Sequence, residues 1–226
     1  MNPETPAAST YSPTDIPPRD LRAALSAVRG EVAKAVVGQD PAVAGILITL
    51  LCRGHILLEG VPGVAKTLLV RSVAAALSVD TKRVQFTPDL MPGDVTGSLI
   101  FDNATSEFTF RPAVFTNLLL ADEINRTPPK TQRRCSKRWR SGRSRSTVCP
   151  ARSPTHFWSR DPESRRVRGT YPLPEAQLDR FLLKVTLPVP PRDDEITVLA
   201  RHAAGFDPKD LGAAGLRPVA SAADIV

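Results

Sequence analysis

This sequence has little with which to cross a membrane, staple itself covalently or build a zinc site. Its longest apolar stretch, Ile46 to Cys52, is far too short for a bilayer, which takes about 20 residues. Residues 1–18 are rich in Pro, Ser and Thr and have no apolar segment of a secretory signal. They read as a disordered leader. The three cysteines, Cys52, Cys135 and Cys149, stand at unrelated spacings, so neither a disulfide framework nor a zinc cluster is expected. There is no internal repeat. These absences leave a soluble cytoplasmic protein, and 226 residues are enough for one α/β domain with its own core.

What is present begins with charge. The net charge of +7 suggests nucleic acid, but its distribution does not. Residues 133–168 hold 12 Lys/Arg and 2 Asp/Glu, a net of +10, which leaves the remaining chain at −3. One foreign block, which also holds both tryptophans and two of the three cysteines, carries all of the excess.

Periodicity outlines the elements. From Leu21 the apolar positions Leu25, Val28, Val32 and Val36 keep helical spacing, with Asp20 as N-cap. A second helix is expected from Asp40 as cap and Pro41 as first helical residue, ending near Gly54. Ile56-Leu57-Leu58 reads as a buried strand and Lys66 to Leu77 as a helix. Val84-Gln85-Phe86 reads as a strand, and Ser98–Phe101 with Phe108–Phe110 as a hairpin. Leu118 to Ala121 is a fully apolar strand. After the basic block come a short helix at Glu175–Leu178, a strand within Phe181–Leu187 and a helix at Asp193–His202. Strands alternating with helices predict an α/β fold whose parallel sheet is covered on both faces.

Two segments carry chemistry. Gly60-Val61-Pro62-Gly63-Val64-Ala65-Lys66-Thr67 lies between a predicted strand and a predicted helix, the setting a P-loop needs. Backbone N–H groups from Gly60 through Leu68 would face phosphates. Lys66 would reach the β- and γ-phosphates, and the Thr67 hydroxyl would ligate Mg2+. Ala65 stands where glycine normally precedes the lysine, which is tolerable if that residue is already helical. The other segment, Leu118 to Glu123, has the form of a Walker B strand. Asp122 would serve the second shell of Mg2+, and Glu123 would polarise the attacking water as general base. Alone, a strand ending in Asp-Glu is weak; paired with a P-loop upstream, it is strong.

Together with Val36-Val37-Gly38-Gln39-Asp40, Gln85-Phe86-Thr87-Pro88-Asp89-Leu90, Asp94-Val95-Thr96-Gly97, Phe110-Arg111-Pro112 and the stretch from Gly169 to Phe181, these segments resemble MoxR-type AAA+ ATPases. The resemblance covers residues 20–132 and 169–226, and the alanine before the lysine is usual in that family. It implies a three-layer P-loop AAA+ core, ATP and Mg2+ as cofactors, ATP hydrolysis and a homo-oligomeric ring, usually hexameric. It also implies a chaperone-like role in maturing or assembling client proteins, often beside a von Willebrand A-domain partner. Neither nucleic acid nor stable membrane insertion belongs to it. By resemblance, Gly38 and Gln39 lie near the adenine, and Arg180 matches an arginine finger acting on the neighbouring subunit's ATP. The expected organisation is a leader over 1–18, an ATPase core over 19–190 and the start of an incomplete helical lid over 191–226.

Between Gln132 and Gly169 the family pattern vanishes. A helix and a strand ending in a polar residue, sensor 1, belong there. A genuine basic insertion is one explanation; a reading-frame error fits better. Back-translating Arg133 to Trp158 and reading from the third base yields PLLEAMEERQVSVD and then GVPRTLPDPFLV. Arg160 to Arg168, read from the second base, yields ATQNPVEYE. Both resemble the family. Three single-base losses, near Gln132, Ser159 and Gly169, account for the block. As written, then, the chain is expected to lack sensor 1 and an interior strand of the sheet, with unpaired backbone as the cost. The alternatives are an inactive product of a decayed gene that keeps a nucleotide site, and a basic nucleic-acid-binding protein.

Overall fold

The computed structural model describes residues 20–91, 98–102, 107–111, 116–128, 155–160 and 171–221. Helix α1 (Leu21–Ala35) starts where the Asp20 carboxylate accepts from the Arg22 N–H, and buries Ala24, Val28 and Val32. Helix α2 (Asp40–Leu51) begins one residue earlier than expected: Gln39 is its N-cap and Asp40 its first helical residue. The Asp40 carboxylate is taken by Arg29 of α1, so it ties two helices together instead of capping one. Strand β1 (Ile56–Glu59) is buried throughout and leads through the glycine-rich loop into α3 (Lys66–Ala76).

Four more parallel strands join β1: β2 (Thr81–Gln85), β5 (Leu118–Asp122), β6 (Thr155–Arg160) and β7 (Leu183–Thr186), in the order β2-β5-β6-β1-β7. Alternation along the strands divides the core. Ile56, Leu58, Leu118 and Leu120 face α1, α2 and α3 in one apolar cluster. Leu57 and Ala121 point the other way, against Phe86, Ile124 and Leu173. A buried leucine or isoleucine contributes about 1.5–3 kcal/mol, so these strands anchor both layers. The expected hairpin is present as β3 (Ser98–Asp102) antiparallel to β4 (Glu107–Arg111). A one-turn helix α4 (Glu175–Leu178) precedes β7, and α5 (Arg192–Ala203) follows it.

The interior strand is not missing. Residues 155–160 fill the slot between β5 and β1, with Phe157 in register with Leu120 on one side and Ile56 on the other. A parallel ladder is made by main-chain groups, so a foreign segment can occupy it where its backbone extends. The strand overlaps the codons whose shifted reading ends in Phe-Leu-Val. The rest of the 133–168 block, the leader and Asp94 to Gly97 lie outside the described residues.

Candidate functional site

The ends of β1, β2 and β5 and the start of α3 meet at a cavity of about 620 Å³, the carboxyl-edge crevice where parallel α/β sheets bind ligands. Its floor is the loop from Pro62 to Leu68, and Asp122 and Glu123 close one side. Gln39, buried, lines another side, and its side-chain amide donates to the Pro188 carbonyl at 3.4 Å. The far wall comes from α5 and the turn after it, through Val198, Arg201, His202 and Phe206.

Local backbone explains the loop. Gly60 sits where a Cβ would stand 2.9 Å from both the Leu187 carbonyl oxygen and the Val64 side chain, so only glycine fits. Ala65 is not helical: at φ 56° and ψ 26° it occupies the left-handed region and caps α3 from outside. The tolerance expected of a helical alanine is therefore not the explanation. The methyl is accepted because Ala65 faces solvent, at the cost of local backbone strain. Lys66 is the first helical residue, and its ammonium donates back to the carbonyls of Gly60 and Val61. Those two residues thus shape the lysine from beneath.

Asp122 ends β5 in register with Gln85 of β2 and is buried. Arg83, two residues before Gln85, donates to one Asp122 oxygen from Nη2 at 2.7 Å and Nε at 3.0 Å. Glu123 is also left-handed, at φ 56°, a conformation that concentrates at functional sites because the surroundings must hold it. The hold is visible: Glu123 accepts from Gln85 Nε2 at 3.2 Å and pairs with Arg126 at 3.2 Å.

Four expected residues are absent from the lining: Gly60 and Val61 meet the Lys66 ammonium through their carbonyls, and Gly38 and Arg180 stand apart. Gly38, at φ 71°, is covered by the Asp194 carboxylate, which lies where a Cβ would go; its neighbours Val37 and Gln39 line the cavity and it does not. Arg180 is not among the cavity's residues either and sits beside His55. Burial, and then the Arg180 charge, push the His55 pKa below its usual value. Arg83, Gln85 and the α5 wall were not expected from the sequence. Arg83 and Gln85 alternate on a strand edge, but which carboxylates they meet depends on β2 pairing with β5.

The model of the AAA_3 ATPase family associated with various cellular activities matches residues 55–183, which is more than half of the chain. The chain belongs to the MoxR-type AAA+ ATPases. Among relatives of this MoxR-type chain, the uncharacterized protein YeaC of Bacillus subtilis is 42% identical over 80% of the chain and 57% of its own length. Chaperone MoxR1 of Mycobacterium tuberculosis is 38% identical over 88% of the chain and 55% of its own length. A crystal structure of a candidate ATPase from Cytophaga hutchinsonii superposes with a TM-score of 0.76 at 36% identity, covering 91% of this chain and 61% of that one. The chain thus spans a little over half the length of the relatives it matches. Among its described residues no helix is long and apolar enough to cross a membrane.

Proposed function

We propose that the cavity binds ATP with Mg2+ and that the chain hydrolyses it to drive a chaperone-like role in maturing or assembling other proteins. One observation carries this reading: Lys66, Thr67, Asp122 and Glu123, drawn from two separate segments, line a single cavity. Backbone N–H groups at the start of α3 and the Lys66 ammonium suit phosphates. The donor set also suits Mg2+, which takes few protein oxygens and keeps its waters: the Thr67 hydroxyl would hold it directly and Asp122 through water. Bound there, the ion would neutralise charge on the transferring phosphoryl group. Glu123 would take the proton of the attacking water, and its bonds to Gln85 and Arg126 support a fixed aim. Gln39 and Val37 would border the adenine, with Gly38 giving the turn.

Arg180, away from this cavity, fits an arginine that serves a neighbouring subunit's nucleotide in a ring. The relative named Chaperone MoxR1 supports the chaperone-like role, and a von Willebrand A-domain partner is part of the same proposal. The compartment proposed is the cytoplasm. We also propose that residues 133–168 are an out-of-frame reading of a family segment. The occupied β6 slot supports a chain that keeps its sheet and favours an active ATPase over a decayed remnant. ATP turnover by the purified chain that disappears in Lys66→Ala tests the function. Turnover equal in both overturns it, and nucleotide binding without any turnover points to the decayed form. Resequencing codons 125–175 tests the frame: three additional bases are expected.

A further inference from the structure

We propose that Arg83 is a positioning residue that holds the Asp122 carboxylate by a displaceable ion pair and sets how much Mg2+ the site needs. The inference rests on the reading of Asp122 as a metal-serving carboxylate. Three observations carry it. The guanidinium bonds one oxygen of Asp122 through two nitrogens, at 2.7 and 3.0 Å. Arg83 lines the same cavity as Lys66 and Thr67, so the pair borders the proposed phosphate site. The two ends are unequal: the arginine side chain is 47% exposed and the aspartate side chain 10%.

That inequality decides what moves. Asp122 is fixed by its buried place at the end of β5, whereas Arg83 can turn its guanidinium into solvent at little cost. A hydrated divalent cation approaching Asp122 meets a carboxylate already compensated by one positive charge. To use it, the cation must displace the arginine from Oδ2 or approach Oδ1 against the arginine's positive charge. Arg83 therefore keeps the Asp122 carboxylate aimed until the metal comes, and competes with the metal while doing so. A half-exposed ion pair is worth up to about 1 kcal/mol, so the competition amounts to a factor of about three to five in the Mg2+ required.

The experiment is a Mg2+ titration of the binding of a fluorescent, non-hydrolysable ATP analogue to the full chain. Arg83→Met keeps the length of the side chain and removes its charge, and is expected to lower the half-saturating Mg2+ about three- to five-fold. Arg83→Lys keeps the charge and is expected to stay near the native value, which a purely steric role would not produce. In the Asp122→Asn background, Arg83→Met is expected to change nothing further. A half-saturating Mg2+ that is unchanged or higher in Arg83→Met overturns the proposal, because Arg83 then does not compete or assists the nucleotide directly. Lys66→Ala separates this failure from failure of the site itself. If Lys66→Ala binds the analogue as the native chain does, the nucleotide reading falls. If only Lys66→Ala loses binding and Arg83→Met behaves as native, only the role of Arg83 falls. Thermal unfolding without nucleotide confirms that each variant is folded.

Discussion

Gln85 and Glu123 stand side by side at the carboxyl edge of the sheet, with Gln85 Nε2 donating to Glu123 Oε2 at 3.2 Å. The glutamate is left-handed at φ 56° and is also paired with Arg126. A carboxylate held at that backbone cost is suited to one position and one task. Glu123→Gln keeps the shape and removes the base. The expected outcome is nucleotide affinity close to native and a turnover rate lower by about 100-fold or more, measured by phosphate release. Equal losses of binding and turnover would mean that Glu123 holds the loop and not the water.

Lys66 is the first residue of α3 and its ammonium rests on the Gly60 and Val61 carbonyls. If the cavity takes ATP as proposed, Lys66→Ala removes a charge-assisted contact to phosphate, worth about 1.5–3 kcal/mol. Affinity for ATP is expected to fall by about 10- to 150-fold in equilibrium titration. Adenosine, which has no phosphate, is expected to bind the variant and the native chain alike.

Gly60 and Leu187 approach so closely that any side chain at 60 strikes the Leu187 carbonyl. Backbone cannot step aside as a flexible side chain would. Gly60→Ala is expected to cost about 1–3 kcal/mol of stability, read from urea unfolding, and to weaken nucleotide binding by displacing the loop.

Ala65 makes the opposite test. At φ 56° an alanine is strained by about 1–2 kcal/mol, and glycine relieves this while adding about 0.4–1 kcal/mol of freedom to the unfolded chain. Ala65→Gly is expected to raise the melting temperature by about 1–3 °C, checked by calorimetry.

His55 gives a pH signature. Burial and the neighbouring Arg180 hold its folded pKa below 6.5. The folded chain keeps the imidazole neutral while the unfolded chain takes up a proton. Stability is therefore full above about 6.5, falls as pH drops from there towards the folded pKa, and levels off below it. Urea midpoints at pH 7.5 and 5.5 are expected to differ for the native chain and to converge in His55→Gln. A native chain with the same midpoint at both would contradict this.

Helices α1 and α3 and the burial of β1 and β5 were legible because their patterns are local: heptad-like spacing, a capping aspartate and unbroken apolar runs. The glycine-rich turn between β1 and α3 was legible because its lysine and threonine follow glycine at a spacing set by the loop's own backbone. The Asp-Glu end of β5 became meaningful only beside that loop. Asp40 was misplaced as a cap because its partner, Arg29, lies a helix away. Ala65 was misread because a residue's place on the Ramachandran map depends on how the loop meets α3.

β6 is the clearest divergence. From the sequence, residues 155–160 read as off the family pattern, and side-chain reading alone predicts a gap in the sheet. Strand pairing, however, needs extended main chain between two waiting neighbours, and the sheet supplies both. Likewise Arg83 and Gln85 look like ordinary polar positions of an edge strand until β2 is laid against β5. The glycine-rich loop with its Lys-Thr, the two carboxyl groups at the end of β5 and the family were written in neighbouring residues, because short segments encode them. Which groups grip those carboxylates, and that residues 155–160 complete the sheet, follow from contacts between residues about 39 or about 100 positions apart, which only the folded chain brings together.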